Sequence, residues 1–221
     1  MVQYGMIIDT TKCQGCSICL FACKDEFVGN DWAPYSKAQP DTGYAFYGTD
    51  ASPDGINAGG VSVTPGQTWM KDIEIVSGMY PSIKAQYVML PCMECSNAPC
   101  MAAATNGAVY RTSNGTIIID PVLSVGQTQI VDACPYGRIY WNSTLQIPQA
   151  CTFCAHRTVA GLNPKCVDSC PMSAITWGDL SNPKSAISVL KASSTTVAFH
   201  PEYGTSPNVT YIGLITGTQY E

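Results

Sequence analysis

Cys13-Gln14-Gly15-Cys16-Ser17-Ile18-Cys19-Leu20-Phe21-Ala22-Cys23 sets four cysteines at the spacing C-x2-C-x2-C-x3-C. In such a run three thiolates hold one [4Fe–4S] cluster and the fourth reaches a neighbouring cluster. The run therefore needs a partner further along the chain. Cys151, Cys154, Cys166 and Cys170, the last followed by Pro171, supply it. Between these two blocks lie Cys92, Cys95 and Cys100, and then a lone Cys134 followed by Pro135. The blocks are nested: the first pairs with the last, and the others fall inside. The chain reads as a multi-cluster electron-transfer protein.

Composition narrows the alternatives. The 221 residues are 46% hydrophobic, enough to bury a core as one large domain or two small ones. Twelve cysteines in 221 residues fall below the density of short disulfide scaffolds, and disulfide frameworks scatter their cysteines. Zinc is the stronger alternative, because Cys92/Cys95 and Cys151/Cys154 could each half-fill a tetrahedral site. Zinc sites are built from pairs, however, whereas the first block offers three evenly spaced thiols plus a fourth. The Cys-Pro endings also match the cubane signature. A c-type haem needs His directly after the second Cys, and here Ala155 separates Cys154 from His156. Net charge is −5, only 12% of residues are charged and no basic patch is present, so nucleic acid is not an expected partner. No run of about 18 apolar residues exists, so no transmembrane segment is expected. Met1 to Asp9 has no basic n-region or long apolar h-region, and no twin-arginine pair is present; no signal peptide is read.

Local pattern places the blocks on elements. Tyr4 to Ile8 predicts a strand entering the first cysteine loop, and Ile18 to Phe27 the short helix after it. Residues 29–68 are rich in Gly, Pro, Ser, Asp and Asn and read as a long surface excursion. Trp69 to Val76 and Gln86 to Leu90 read as strands. Ala108–Arg111 and Thr116–Ile119 flank Asn114-Gly115, a strong hairpin signal. Asp120-Pro121 reads as the N-cap of a helix running to about Asp132. Ala150 to Trp177 is a second cysteine region ending in a strand, and the Ser/Thr-rich tail from Ser181 is expected to wrap the surface. Trp69, Trp141 and Trp177 read first as core or interface, with cluster bridging the less favoured role. His156 and Arg157, close after Cys154, read first as a structural contact and second as charges that raise a cluster's potential. His200 reads as surface.

At residue 92 the spacing is C-x2-C-x4-C-x3-X, ending on Ala104; at residue 124 it is X-x2-X-x2-X-x3-C-P, with Ser124, Gln127 and Ile130 before Cys134. Here the chain resembles the iron–sulfur (beta) subunits of the molybdenum and tungsten bis-pterin oxidoreductases, the dimethyl sulfoxide reductase superfamily. Sixteen cysteines in four blocks are usual in that family. The resemblance implies that ligands are swapped between blocks. Cluster A would take Cys13, Cys16, Cys19 and Cys170; cluster B, Cys23, Cys151, Cys154 and Cys166; cluster C, Cys92, Cys95, Cys100 and Cys134. A fourth cluster would need positions 104, 124, 127 and 130, which are Ala, Ser, Gln and Ile. One complete set is lost and the others are intact, so three [4Fe–4S] clusters are expected. Pro91-Cys92-Met93, Asn97-Ala98-Pro99-Cys100, Gly107-Ala108-Val109-Tyr110, Cys134-Pro135-Tyr136-Gly137 and Ile139-Tyr140-Trp141-Asn142 resemble a three-cluster subgroup, the transhydroxylase-type small subunits. So does the tail pattern Pro201-Glu202-x-Gly204-Thr205-x-Pro207-x-Val209-x-Tyr211.

The expected fold is α+β, two nested bacterial-ferredoxin-like units with long loop insertions. Residues 1–28 and 145–180 would form the outer unit with clusters A and B, and 84–144 the inner unit with cluster C. Residues 29–83 are a loop-rich insertion with a strand, and 181–221 the tail. No catalytic constellation is visible, so the active site belongs on a partner chain. The family resemblance implies a large catalytic subunit carrying the molybdenum or tungsten bis-pterin, and a membrane-anchor or soluble electron acceptor. Electron transfer is the leading function. Structural docking in an enzyme with no net redox, or a free-standing polyferredoxin, are the rivals. Location is read as cytoplasmic or exported folded with a signal-bearing partner, the latter favoured slightly by Ser/Thr content and sequons at Asn114, Asn142 and Asn208. Two expectations concern the lost cluster: Ile130 should be buried with Gln127 hydrogen-bonded nearby, and cluster C should lie across a protein-filled gap from A and B.

Overall fold

Met6, Ile7 and Ile8 are almost completely buried because β1 (Tyr4–Asp9) lies inside a sheet and is covered on both faces. The computed structural model describes residues 2–27, 69–142 and 145–215. The expected excursion at 29–68 and the end of the Asn142 sequon lie outside them. β8 (Ile175–Asp179) pairs antiparallel with one edge of β1, from Tyr4↔Asp179 to Ile8↔Ile175. β10 (Val209–Ile212) pairs parallel with the other edge, from Met6↔Val209 to Asp9↔Ile212, and β9 (Thr196–Val197) closes the order β8-β1-β10-β9.

That sheet corrects the reading of the tail. Its polar composition hides Val209 and Tyr211, both 0% exposed. The tail holds α6 (Ala186–Ser193), capped by Ser185, whose side chain accepts from Ser188 N. It then delivers β10 to the centre of the sheet. Tyr211 donates its buried hydroxyl to the Met89 carbonyl at 2.9 Å. Two apolar side chains at alternate positions suffice to bury a short strand.

Three two-stranded antiparallel ribbons accompany the sheet. β2 (Lys71–Ser77) and β3 (Lys84–Leu90) pair over their whole lengths. β4 (Val109–Arg111) and β5 (Ile117–Ile119) close over Asn114-Gly115 as expected, with Gly115 at φ +86. β6 (Tyr140–Asn142) pairs with β7 (Ile147–Gln149). The helices are short: α1 (Ile18–Phe27), α2 (Pro99–Ala103), α3 (Gln129–Asp132), α4 (Ala155–Thr158) and α5 (Lys165–Asp168). The helix expected from Asp120 to Asp132 is not continuous. Asp120 Oδ1 does accept from the Val122 and Leu123 amides. But Gly126 sits at φ +77, which ends any helix begun there, and only α3 forms beyond it.

The core incorporates the cysteines. Cys19, Cys23, Cys95, Cys154 and Cys166 are buried with Met6, Ile8, Val88, Phe153 and Tyr211. A second cluster joins Cys100 to Ile117, Ile130 and Ile139. Trp69 is core, edge-on to Tyr140 at 5.9 Å, and Trp177 packs on Tyr4 at 4.4 Å. Among the described residues no helix is long and apolar enough to cross a membrane.

Candidate metal centres

None of the twelve cysteines is paired in a disulfide. β1 carries the chain into the first loop, where Asp9 Oδ1 accepts from the Thr11 amide and hydroxyl at 3.0 and 2.6 Å. Gly15 follows at φ +65, and a Cβ there would lie 2.5 Å from the Tyr87 ring. No other residue fits both demands. The loop turns Cys13, Cys16 and Cys19 around one pocket whose fourth thiol is Cys170, with Ile8 and Met89 lining it. Cys23 leaves that pocket and lies among Cys151, Cys154 and Cys166. Cys100 lies beside Cys95 and Cys134, and Cys92 faces Cys100 and Cys151.

The three groups repeat one pattern of N–H···S bonds. The leading cysteine of each C-x2-C loop takes a bond from the amide two residues on: Gly15 to Cys13, Glu94 to Cys92 and Phe153 to Cys151. All three donors are left-handed, at φ +65, +48 and +50, which turns their amides inward. A further cysteine in each group takes a bond from the next amide: Leu20 to Cys19, Met101 to Cys100 and Val167 to Cys166. The two Cys-Pro thiols take bonds from the amide four residues on, Ala174 to Cys170 at 3.3 Å and Arg138 to Cys134 at 3.4 Å.

Burial pushes the Cys19, Cys100 and Cys154 thiols up to about 12 and Cys151 up to about 11. Cys23, Cys92 and Cys166 are also raised well above the ordinary thiol value, again by burial first and then by neighbouring thiols or, for Cys92, by Glu94. Metal ligation requires thiolates, so these sets need a compensating cation. Among the described residues no three His, Cys, Asp or Glu side chains converge on a point that could hold one ion. Four soft thiols spread around a pocket, with amides aimed at sulfur, fit a polynuclear iron–sulfur group.

The groups are contiguous. Cys23 and Cys166 both lie near Cys19 of the first group. The Cys92 amide donates to Cys151, which joins the second group to the third. This contradicts the expected gap in front of cluster C. Ala104 and Ile130 pack in one cluster with Cys100 and Cys134. There Ile130 is 0% exposed, and the Gln127 side chain accepts from the Thr105 amide at 2.9 Å and donates to the Leu123 carbonyl at 2.7 Å.

Three residues near these thiols gave no sequence signal of their own. Arg138 is 3% exposed and lies against Cys134, Cys92 and Cys151; burial lowers its pKa. Glu94 is fully buried and its carboxyl is pushed up to about 8 by burial, although it accepts from the Ile117 amide. Thr205 reaches Cys95 from the tail. His156 and Arg157 instead turn to Glu26, at 3.1 and 3.4 Å, where Lys165 joins them at 3.7 Å. The contact to a neighbouring element is what the structure places there. His200 bonds Glu202 at 2.6 Å and stacks on Tyr203.

Fold and thiol sets define a polycluster iron–sulfur protein with ferredoxin-type cysteine loops. The family described as "4Fe-4S dicluster domain" matches residues 83–180. The chain is 33% identical over 218 residues to the pyrogallol hydroxytransferase small subunit of Pelobacter acidigallici, covering 97% of this chain and 70% of that one. It is 31% identical to a tetrathionate reductase subunit of Salmonella typhimurium, over 96% of this chain and 73% of the relative. It is 27% identical to the arsenate respiratory reductase iron-sulfur subunit ArrB of Shewanella sp. strain ANA-3, over 96% of both. The chain belongs to the iron–sulfur subunits of the molybdenum bis-pterin oxidoreductases and binds [4Fe–4S] clusters.

Proposed function

We propose that this chain is the electron-transfer subunit of a heteromeric molybdenum or tungsten bis-pterin enzyme, and that it holds three [4Fe–4S] clusters. Cluster A would be held by Cys13, Cys16, Cys19 and Cys170, cluster B by Cys23, Cys151, Cys154 and Cys166, and cluster C by Cys92, Cys95, Cys100 and Cys134. The observation that carries this reading is the N–H···S pattern repeated in all three groups. Each cluster supplies one-electron redox chemistry; the residues fix position, exclude water and set potential. The two nested units follow from the same grouping, with A and B in the outer and C in the inner. The pterin sits on the partner subunit. Cys16, Ile18, Phe21 and Met172 are exposed beside the first pocket, and that face suits a docking partner.

Iron and sulfide analysis of the purified chain tests the count. About twelve of each is expected from four irons per cubane. A value near sixteen, or stoichiometric zinc, overturns it. A second reading, structural docking without net redox, is supported by the similarity to the pyrogallol hydroxytransferase small subunit. Reduction of the clusters by substrate, followed in the purified complex, separates the two.

A further inference from the structure

The tail segment after His200 does more than reach β10. Its backbone is tied to the loop of the third thiol group. The Ser96 amide donates to Ser206 O at 2.9 Å, Asn97 N to Thr205 O at 3.0 Å, and Asn208 N to Met93 O at 3.0 Å. The Asn208 side chain donates to Glu94 O at 2.7 Å, so the amide of that sequon is already engaged inside the protein. Gly204 and Ser206, at φ +65 and +50, flank Thr205 and bend the chain towards the loop. Thr205 is 3% exposed. Its hydroxyl faces the Cys95 sulfur on one side and lies 2.5 Å from the Tyr136 hydroxyl on the other.

A hydroxyl has one hydrogen to give. A hydrogen given by Thr205 to the Cys95 sulfur leaves Tyr136 as the donor to Thr205. We infer that Tyr136 and Thr205 form a two-hydroxyl relay that positions Cys95 and raises the potential of cluster C. The inference rests on the assignment of Cys95 to that cluster. Backbone amides serve sulfurs in every group, whereas this side-chain donor comes from a segment more than a hundred residues away in sequence. An O–H···S bond withdraws charge from the ligand sulfur. The bond is stronger when the cluster carries its additional electron, so it favours reduction. The donor is fixed by the tail, so its strength depends on β10 remaining docked against β1.

The test is an EPR-monitored redox titration of the purified complex. The signal of cluster C is identified as the one lost in Cys134→Ser; finding it in the parent complex tests the cluster assignment separately. Thr205→Val keeps the side-chain shape and removes the donor. Its cluster C signal should titrate at lower potential by about 59 mV, a tenfold change for one electron. Clusters A and B should not move, and Thr205→Ser should restore the parent value. Tyr136→Phe, which leaves the loop intact, should shift the same signal in the same direction by less. If Thr205→Val loses the cluster, Tyr136→Phe decides. An unchanged cluster C potential in the loaded variants, or a shift shared by all three signals, overturns the inference.

Discussion

Cys170 is the residue on which the pairing of the thiols turns. It stands close in sequence to Cys166, yet its sulfur lines the pocket of Cys13, Cys16 and Cys19. Cys170→Ser should therefore damage the cluster held by the first loop and spare the one held by Cys151 and Cys154. Spectroscopy showing the reverse loss would reject the pairing. Ile130 is the counter-case, packing at a position that the family resemblance would give to a ligand. It is 0% exposed among Cys100, Ile117 and Ile139. Ile130→Ala should cost about 2–5 kcal/mol through the cavity left behind. A thermal unfolding midpoint within a degree of the parent would show that the site collapses freely. The cysteines are legible in sequence because a cubane imposes fixed spacings on a loop. Thr205, Arg138 and Glu94 are not, because each meets the thiols through contacts that only the folded chain makes. Thr205 stands out only as part of a tail pattern, with no hint of the sulfur it touches.

At the scale of elements, local signals work where local physics decides. α1 is legible end to end, since a cysteine loop delivers the chain into an uninterrupted helical stretch. The β4–β5 hairpin follows from Asn114-Gly115. The helix expected from Asp120 fails because a sound cap is followed by a left-handed glycine. β10 escapes a local reading for another reason. Val209 and Tyr211 are too few to announce a strand, and their burial is decided by β1, some two hundred residues earlier. The position of β10 carries a prediction. A chain ending at His200 keeps all twelve cysteines. It should nevertheless fail to accumulate as soluble, iron-loaded protein, because it exposes one edge of β1 and frees the loop at Met93–Asn97. Normal iron content in that truncation would return the tail to a wrapping role. Glu26, at the far end of α1, makes a smaller contribution. It gathers His156, Arg157 and Lys165, and Glu26→Ala leaves three cationic or polar groups without it. The expected loss is about 1–3 kcal/mol, read as a lower unfolding midpoint with the iron content preserved.

Across the whole molecule, the proposed three-cluster assignment raises the question whether the relay would be continuous. Cubane potentials and spacing decide how electrons pass, and spacing is set by which thiols touch. The first and second groups meet at Cys19, which lies near Cys23 and Cys166. The second and third meet through the Cys92 amide and Cys151. Arg138, buried against Cys134, Cys92 and Cys151, adds a cation at that same junction. Ala104 and Ile130, which the family resemblance assigns to a fourth cluster, pack with Cys100. On the proposed assignment, the three clusters would then be adjacent members of one line. The counting of cysteines in sequence could not reveal this, because nesting places the inner unit between two halves of the outer one without saying which of its two sites faces them. A relay of adjacent clusters should behave as one conductor. In rapid-mixing reduction of the purified complex through its catalytic subunit, all three clusters should be reduced in a single kinetic phase. Cys134→Ser should remove the amplitude of cluster C and leave the rates of A and B unchanged. A separate slow phase belonging to cluster C in the parent complex would mean that the contact between Cys92 and Cys151 does not carry electrons, and that an acceptor must approach the second group instead.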